Sequence, residues 1–389
     1  MKGSKGSRRK KKYIRNAVII FAVLAAAAIT AAVVSDSRQK ENSSQKTFPA
    51  SAETKLQQEA DRLLSSMSLE EKVGQMFMGC FYNGTPSPKE VTKYHLGSVL
   101  LFGQSFTDTT PEKLQLQISS ISKTSDIHPF IAVDEEGGTV VRASSSTAFR
   151  KIPFKSPRQL YAEGGIEAIV KETHEKNELL SGLGINLNLA PVCDISTNTE
   201  DFMYNRSLGQ DAGTTSDFAE AVVRTCTDDG MGCTLKHFPG YGDAADTHKG
   251  LATDDRSLKK LKSCDLLPFK AGIEAGAPSV LVSHNIVTAL DDKPASLSKA
   301  VHKLLREDLE FKGVIITDDL SMDAISEYFS GPGSAVTAIQ AGNDMLCTGD
   351  FSSQYEAVLK AVSNGTISES RIDQSVRRIL VWKIQAGLA

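Results

Sequence analysis

The chain has no CxxC pair and no zinc-type cluster. Its six cysteines, Cys80, Cys193, Cys226, Cys233, Cys264 and Cys347, are scattered over 389 residues. That spacing gives no metal site and no legible disulfide framework, and it favours buried small hydrophobes. No GxGxxG follows the first apolar run of the body, which weighs against a doubly wound dinucleotide fold. No repeat of 20–50 residues is visible. With 40% apolar and 23% charged residues the chain is neither wholly disordered nor a multi-pass membrane protein. Its length exceeds one minimal domain and suits one large barrel.

Charge is unevenly placed. Residues 1–16 hold eight bases (Lys2, Lys5, Arg8, Arg9, Lys10, Lys11, Lys12 and Arg15) and no acid, leaving 36 of the 44 bases to face 47 acids. An acidic body of this kind is a poor partner for nucleic acid. Residues 17–34 carry no charge. Eighteen residues at about 1.5 Å each span roughly 27 Å, close to the thickness of a bilayer's apolar core. The basic flank keeps the N-terminus in the cytoplasm. The expectation is a single-pass transmembrane anchor with the body outside the cytoplasm. A signal peptide cut near Ala25–Ala28, releasing a secreted protein, is the alternative. No cysteine closely follows the run, so no lipid-modified cysteine is indicated.

Residues 35–52 are polar and aperiodic and read as a flexible linker. The body is expected over 53–389. A helix is expected from about Glu53 to Ser66, and Ser68-Leu-Glu-Glu71 reads as a capping box. Eight apolar runs of strand length follow, at 75–81, 97–102, 129–134, 185–194, 231–237, 278–286, 313–318 and 343–348. Helix-like segments lie near 111–123, 166–181, 214–229, 257–275, 298–310, 334–341, 351–363 and 368–385. The strands are almost continuously apolar, as parallel strands covered on both faces must be. The pattern predicts an α/β fold, a (β/α)8 TIM-type barrel forming a single catalytic domain.

The active site of such a barrel sits at the C-terminal ends of its strands. Those ends carry Asp134 with Glu135 and Glu136, Asp194, Lys236 with His237, His284, and Asp318 with Asp319. Charges converging on one buried rim need partners or a ligand. The fifth strand feeds a loop shaped by Pro239, Gly240 and Gly242, in which Asp246 and His248 stand two residues apart. A carboxylate there can fix the imidazole tautomer and raise its pKa, leaving the other nitrogen to give a proton. With a rigidly held carboxylate at Asp318, the rim suggests glycosidic bond cleavage, with His248 in the place more often taken by a second carboxylate.

Lys236–Gly240 (KHFPG), Asp246-Thr247-His248 and Gly313–Met322 (GVIITDDLSM) resemble glycoside hydrolase family 3, and most closely its β-N-acetylglucosaminidase branch. Ser68–Met76, Val133–Gly138 (VDEEGG), Asn205–Gly209 and Ile372–Lys383 extend the similarity over roughly 55–389, in the expected order. The resemblance implies a retaining mechanism, with Asp318 as nucleophile, His248 as acid/base and Asp246 as its partner. It assigns Asp134, Arg142, Arg206, Lys236 and His237 to the sugar's hydroxyls. Thr139 stands where the branch usually has Arg, which puts a loop salt bridge in doubt but not Arg142.

The reading that follows is a β-N-acetylhexosaminidase taking terminal GlcNAc from a wall-derived or other glycan, with no cofactor, no metal and no obligate protein partner. Broader β-glucosidase relatives take a Glu acid from a second domain, for which little chain remains after the eighth strand. A β-glucosidase is the nearest enzymatic alternative. A non-catalytic anchored glycan-binding module and a Schiff-base aldolase using Lys236 compete less well.

Overall fold

The expected first helix begins at Ala50 rather than Glu53 and runs to Ser66. Ala50 and Ala52 are strong helix formers, so the helix takes up the last three residues of the expected linker. The computed structural model describes residues 50–242, 246–247, 250–329 and 331–389. The basic segment 1–16, the apolar run 17–34 expected to form an anchor, and residues 35–49 lie outside the described residues. Among the described residues no helix is long and apolar enough to cross a membrane.

Ser68 caps the next helix, Leu69–Gln75, as the sequence predicts. Its Oγ accepts from the Glu71 N–H at 3.2 Å, and the Glu71 carboxylate accepts from the Ser68 N–H at 2.8 Å. That helix delivers the chain into β1 (Phe77–Phe81). The other strands are β2 (Ser98–Leu101), β3 (Phe130–Val133), β4 (Leu187–Asn188), β5 (Gly232–Phe238), β6 (Thr253–Asp254), β7 (Ser279–Val282), β8 (Ile286–Val287), β9 (Val314–Thr317) and β10 (Leu346–Thr348). Eight of them form one parallel sheet in the order β10-β1-β2-β3-β4-β5-β7-β9, one strand from each of the eight apolar runs. A parallel bridge between Ile316 and Met345 brings the two ends of this order together and closes the barrel. The (β/α)8 reading therefore holds.

Departures from the expected elements have local causes. The fourth run keeps only two ladder residues, because Pro191 has no N–H to give; pairing resumes as a bridge between Val192 and Lys236. The helix expected over 257–275 is two, Leu258–Ser263 and Leu266–Glu274. The break falls at Cys264, four residues before Pro268, where a continuous helix would clash with the proline ring. The parallel pair β6–β8 lies outside the barrel sheet and was not expected. All six cysteines are unpaired and five are buried.

Candidate active site

The chain leaves β3 at Asp134 and folds back at once. Gly137 and Gly138 have φ of +101° and +64°. A Cβ on Gly137 would lie 2.0 Å from the Lys155 carbonyl oxygen, and one on Gly138 2.5 Å from Ser156 Cβ. Only glycine fits this approach. The buried Glu135 carboxylate then gathers the returning loop, accepting from the N–H groups of Arg142 and Ala143, both at 2.8 Å. Arg142 is thereby set beside Asp134, with Nη2 3.8 Å from Oδ2. Its guanidinium lies over the Phe102 ring at 5.7 Å, and its Nε has no hydrogen-bond partner among the described residues. Thr139, where the resembling branch has Arg, is exposed.

On β5 the register shifts between Leu235 and Phe238. Successive residues of a regular strand face opposite sides, and this irregularity lets Lys236 and His237 both serve the rim. Lys236 Nζ lies 2.7 Å from Asp134 Oδ1 and 2.6 Å from Glu136 Oε1. Burial pushes the Lys236 pKa down, but the two carboxylates outweigh it and hold the ammonium above its ordinary range. Arg206 grips Glu136 by both oxygens and gives a third bond, from Nη2, to His237 Nε2 at 3.1 Å. A guanidinium only donates, so the ring proton sits on Nδ1, where it goes to Asp194 Oδ2 at 2.8 Å. Burial would raise the Glu136 pKa; Arg206 and Lys236 instead hold it well below the usual carboxylate range.

Arg206 itself rides on a loop fixed by Arg158. That residue donates to the carbonyls of Tyr204 and Ser196, at 3.1 and 2.8 Å, and stacks 3.8 Å over the Tyr204 ring.

Asp318 follows β9, its N–H bonded to the Val282 carbonyl at 2.9 Å. Its carboxylate accepts the Asp319 N–H at 2.9 Å. Asp319 is held from two further sides. His284 Nε2–H donates to its carbonyl at 2.9 Å, and the Tyr82 hydroxyl donates to its carboxylate. Across the rim, Tyr241 hydrogen-bonds Thr247 and places its N–H 2.7 Å from Asp194 Oδ1. Burial and the nearby Asp318 carboxylate both push the Tyr241 phenol pKa up. The phenol therefore stays protonated beside Asp318.

The structure thus brings Asp134, Arg142, Arg206, Lys236 and His237 into one network, with Asp318 on the same rim. Asp246 is partly buried beside the buried Thr247. His248 lies outside the described residues, so the expected Asp246–His248 pairing does too. Sequence reasoning noted Glu136, Asp194 and His284 at strand ends but gave them no role; they are the supports of the residues it chose. Tyr82 was missed. The run before it, Phe77–Phe81, is apolar throughout and carries no alternation that would mark it. No group of His, Cys, Asp or Glu able to hold a metal occurs among the described residues.

With this geometry in place, comparison with known proteins is decisive on one point. The description "Glycosyl hydrolase family 3 N terminal domain" matches residues 68–381. The chain belongs to glycoside hydrolase family 3. Beta-hexosaminidase A of Pseudoalteromonas piscicida is 32% identical over 75% of this chain, which spans only 54% of that relative. Beta-hexosaminidase LpqI of Mycobacterium tuberculosis is 30% identical over 82% of this chain and 83% of its own length. Among solved structures, a family 3 beta-N-acetylglucosaminidase from Paenibacillus sp. superposes with a TM-score of 0.77 at 31% identity, over 83% of this chain and 63% of that one. The chain thus spans about half of one relative and most of another. The family 3 domain described here is the part they share.

Proposed function

We propose that this family 3 chain is a retaining β-N-acetylhexosaminidase that releases terminal, non-reducing β-linked GlcNAc from peptidoglycan-derived or other glycans. The observation that carries the reading is Asp318, fixed at the end of β9 on the rim that also presents Asp134, Arg142, Arg206, Lys236 and His237. A carboxylate held this way can act as a nucleophile, and the charged cluster suits ring hydroxyls through charge-assisted hydrogen bonds. The names of the relatives, beta-hexosaminidase and beta-N-acetylglucosaminidase, support the choice of sugar.

In the first step an Asp318 oxygen bonds to the anomeric carbon as the glycosidic C–O bond breaks, and His248 gives its proton to the departing oxygen. In the second step His248 takes a proton from water, whose oxygen displaces Asp318 and releases the sugar. Asp246 steadies the imidazole between the steps. No metal or organic cofactor enters. The apolar run 17–34 tethers the enzyme, with its barrel outside the cytoplasm. Initial rates on aryl β-GlcNAc and aryl β-glucose test the reading. A preference for GlcNAc is expected; a preference for glucose favours a β-glucosidase, and no turnover of any aryl glycoside favours a binding module.

A further inference from the structure

Two thiols that the proposed mechanism does not use face each other beneath the rim. Cys80 on β1 and Cys347 on β10 place their Sγ atoms 3.3 Å apart, both buried. The β1–β10 register sets Met78 opposite Cys347. Cys80, two residues beyond Met78, shares its face of the sheet. Phe77 and Phe81 take the other face, packing on Tyr355 and Phe351 of the helix Phe351–Ser363. The two sulfurs therefore point into the barrel, under Tyr82 and Asp319. A disulfide needs an S–S distance of about 2.0 Å, so the sulfurs have little more than an ångström to travel.

We propose that Cys80 and Cys347 are a dithiol that oxidises to a disulfide, stapling the barrel's first strand to its last. The residues are 267 positions apart, so the link closes nearly the whole barrel into one covalent ring. That ring restricts the unfolded chain far more than a short loop does. With hydrogen peroxide as oxidant, one thiol attacks the peroxide, forming a sulfenic acid and one water. The second thiol's sulfur then attacks that sulfur, forming the S–S bond and a second water. The two sulfurs lose two electrons in all, and the peroxide gains them. Burial favours an oxidant of this small size.

The competing pair is Cys226 and Cys233, which also interact. The test uses the full chain, fully reduced and then treated with hydrogen peroxide. Free thiols are blocked in denaturant, and the protein is digested without reduction and mapped by mass spectrometry. The expected result is a linked peptide pair containing Cys80 and Cys347, loss of two of the six titratable thiols, and a raised thermal midpoint that reductant reverses. Cys80→Ala and Cys347→Ala each remove the link and the midpoint shift. Six thiols surviving the treatment, or a Cys226–Cys233 link in place of the expected one, overturns the proposal. The mapping on the unsubstituted chain decides it even if a variant folds poorly.

Discussion

Arg206 grips the buried Glu136 carboxylate through both oxygens, at 2.9 and 2.6 Å. Lys236 takes one of those oxygens as well, and through it Glu136 sets the two cations that flank Asp134 and His237. Glu136 is thus a positioning residue for the sugar-facing groups.

Glu136→Gln keeps the shape and removes the charge, leaving two buried cations short of their counter-ion. A loss of about 3–5 kcal/mol in folding stability at pH 7 is expected, the cost of breaking a buried pair. The sign of its pH dependence follows from the depressed carboxylate. Its stabilisation is fully present above the unfolded value of 4.5 and is lost as pH falls through the lower folded value. Urea denaturation of both proteins at neutral and acidic pH checks this: the gap between them narrows on acidification. A gap that is constant with pH contradicts it.

Tyr82→Phe removes one hydroxyl from Asp319, the neighbour of Asp318, and leaves the ring against Phe102. That bond steadies the neighbour of the nucleophile, so its loss should lower kcat/KM roughly tenfold, equivalent to about 1.4 kcal/mol of transition-state stabilisation. Steady-state kinetics on aryl β-GlcNAc measures it. The unfolding midpoint should move much less than for Glu136→Gln.

Far from the rim, Lys383 is buried with its Nζ 2.7 Å from Gln75 Oε1 and 5.5 Å from the Phe130 ring centre. Burial pushes its pKa down to about 7, against 10.5 for the free side chain. The unfolded chain then binds more protons between these values, so stability rises with pH across that window. Lys383→Met should flatten this slope and raise the thermal midpoint at pH 6 by roughly 2 °C or more. Calorimetry from pH 6 to pH 10 checks both.

The barrel was legible because each strand is covered on both faces and so reads as an unbroken apolar run. Asp134, Lys236, His237 and Asp318 stood out because several strand ends with such groups converge on one rim, where burial demands partners or a ligand; one such residue alone would mark little. What the runs could not show is where a strand stops pairing. Pro191 cuts β4 short, and the irregularity in β5 turns Lys236 and His237 to one site although neighbours on a strand normally diverge. The supports were harder still. Tyr82, Arg158 and Glu136 act through residues distant in sequence, and no local pattern marks such a contact.

The central claim is that Asp318 carries the sugar covalently. A fluorinated GlcNAc glycoside that forms the glycosyl-enzyme but slows its breakdown tests this directly. Incubation, digestion and peptide mass mapping should place the label on Asp318, with none on an Asp318→Asn variant that still folds. Label on another carboxylate, or continued turnover by that variant near the unsubstituted rate, contradicts the account.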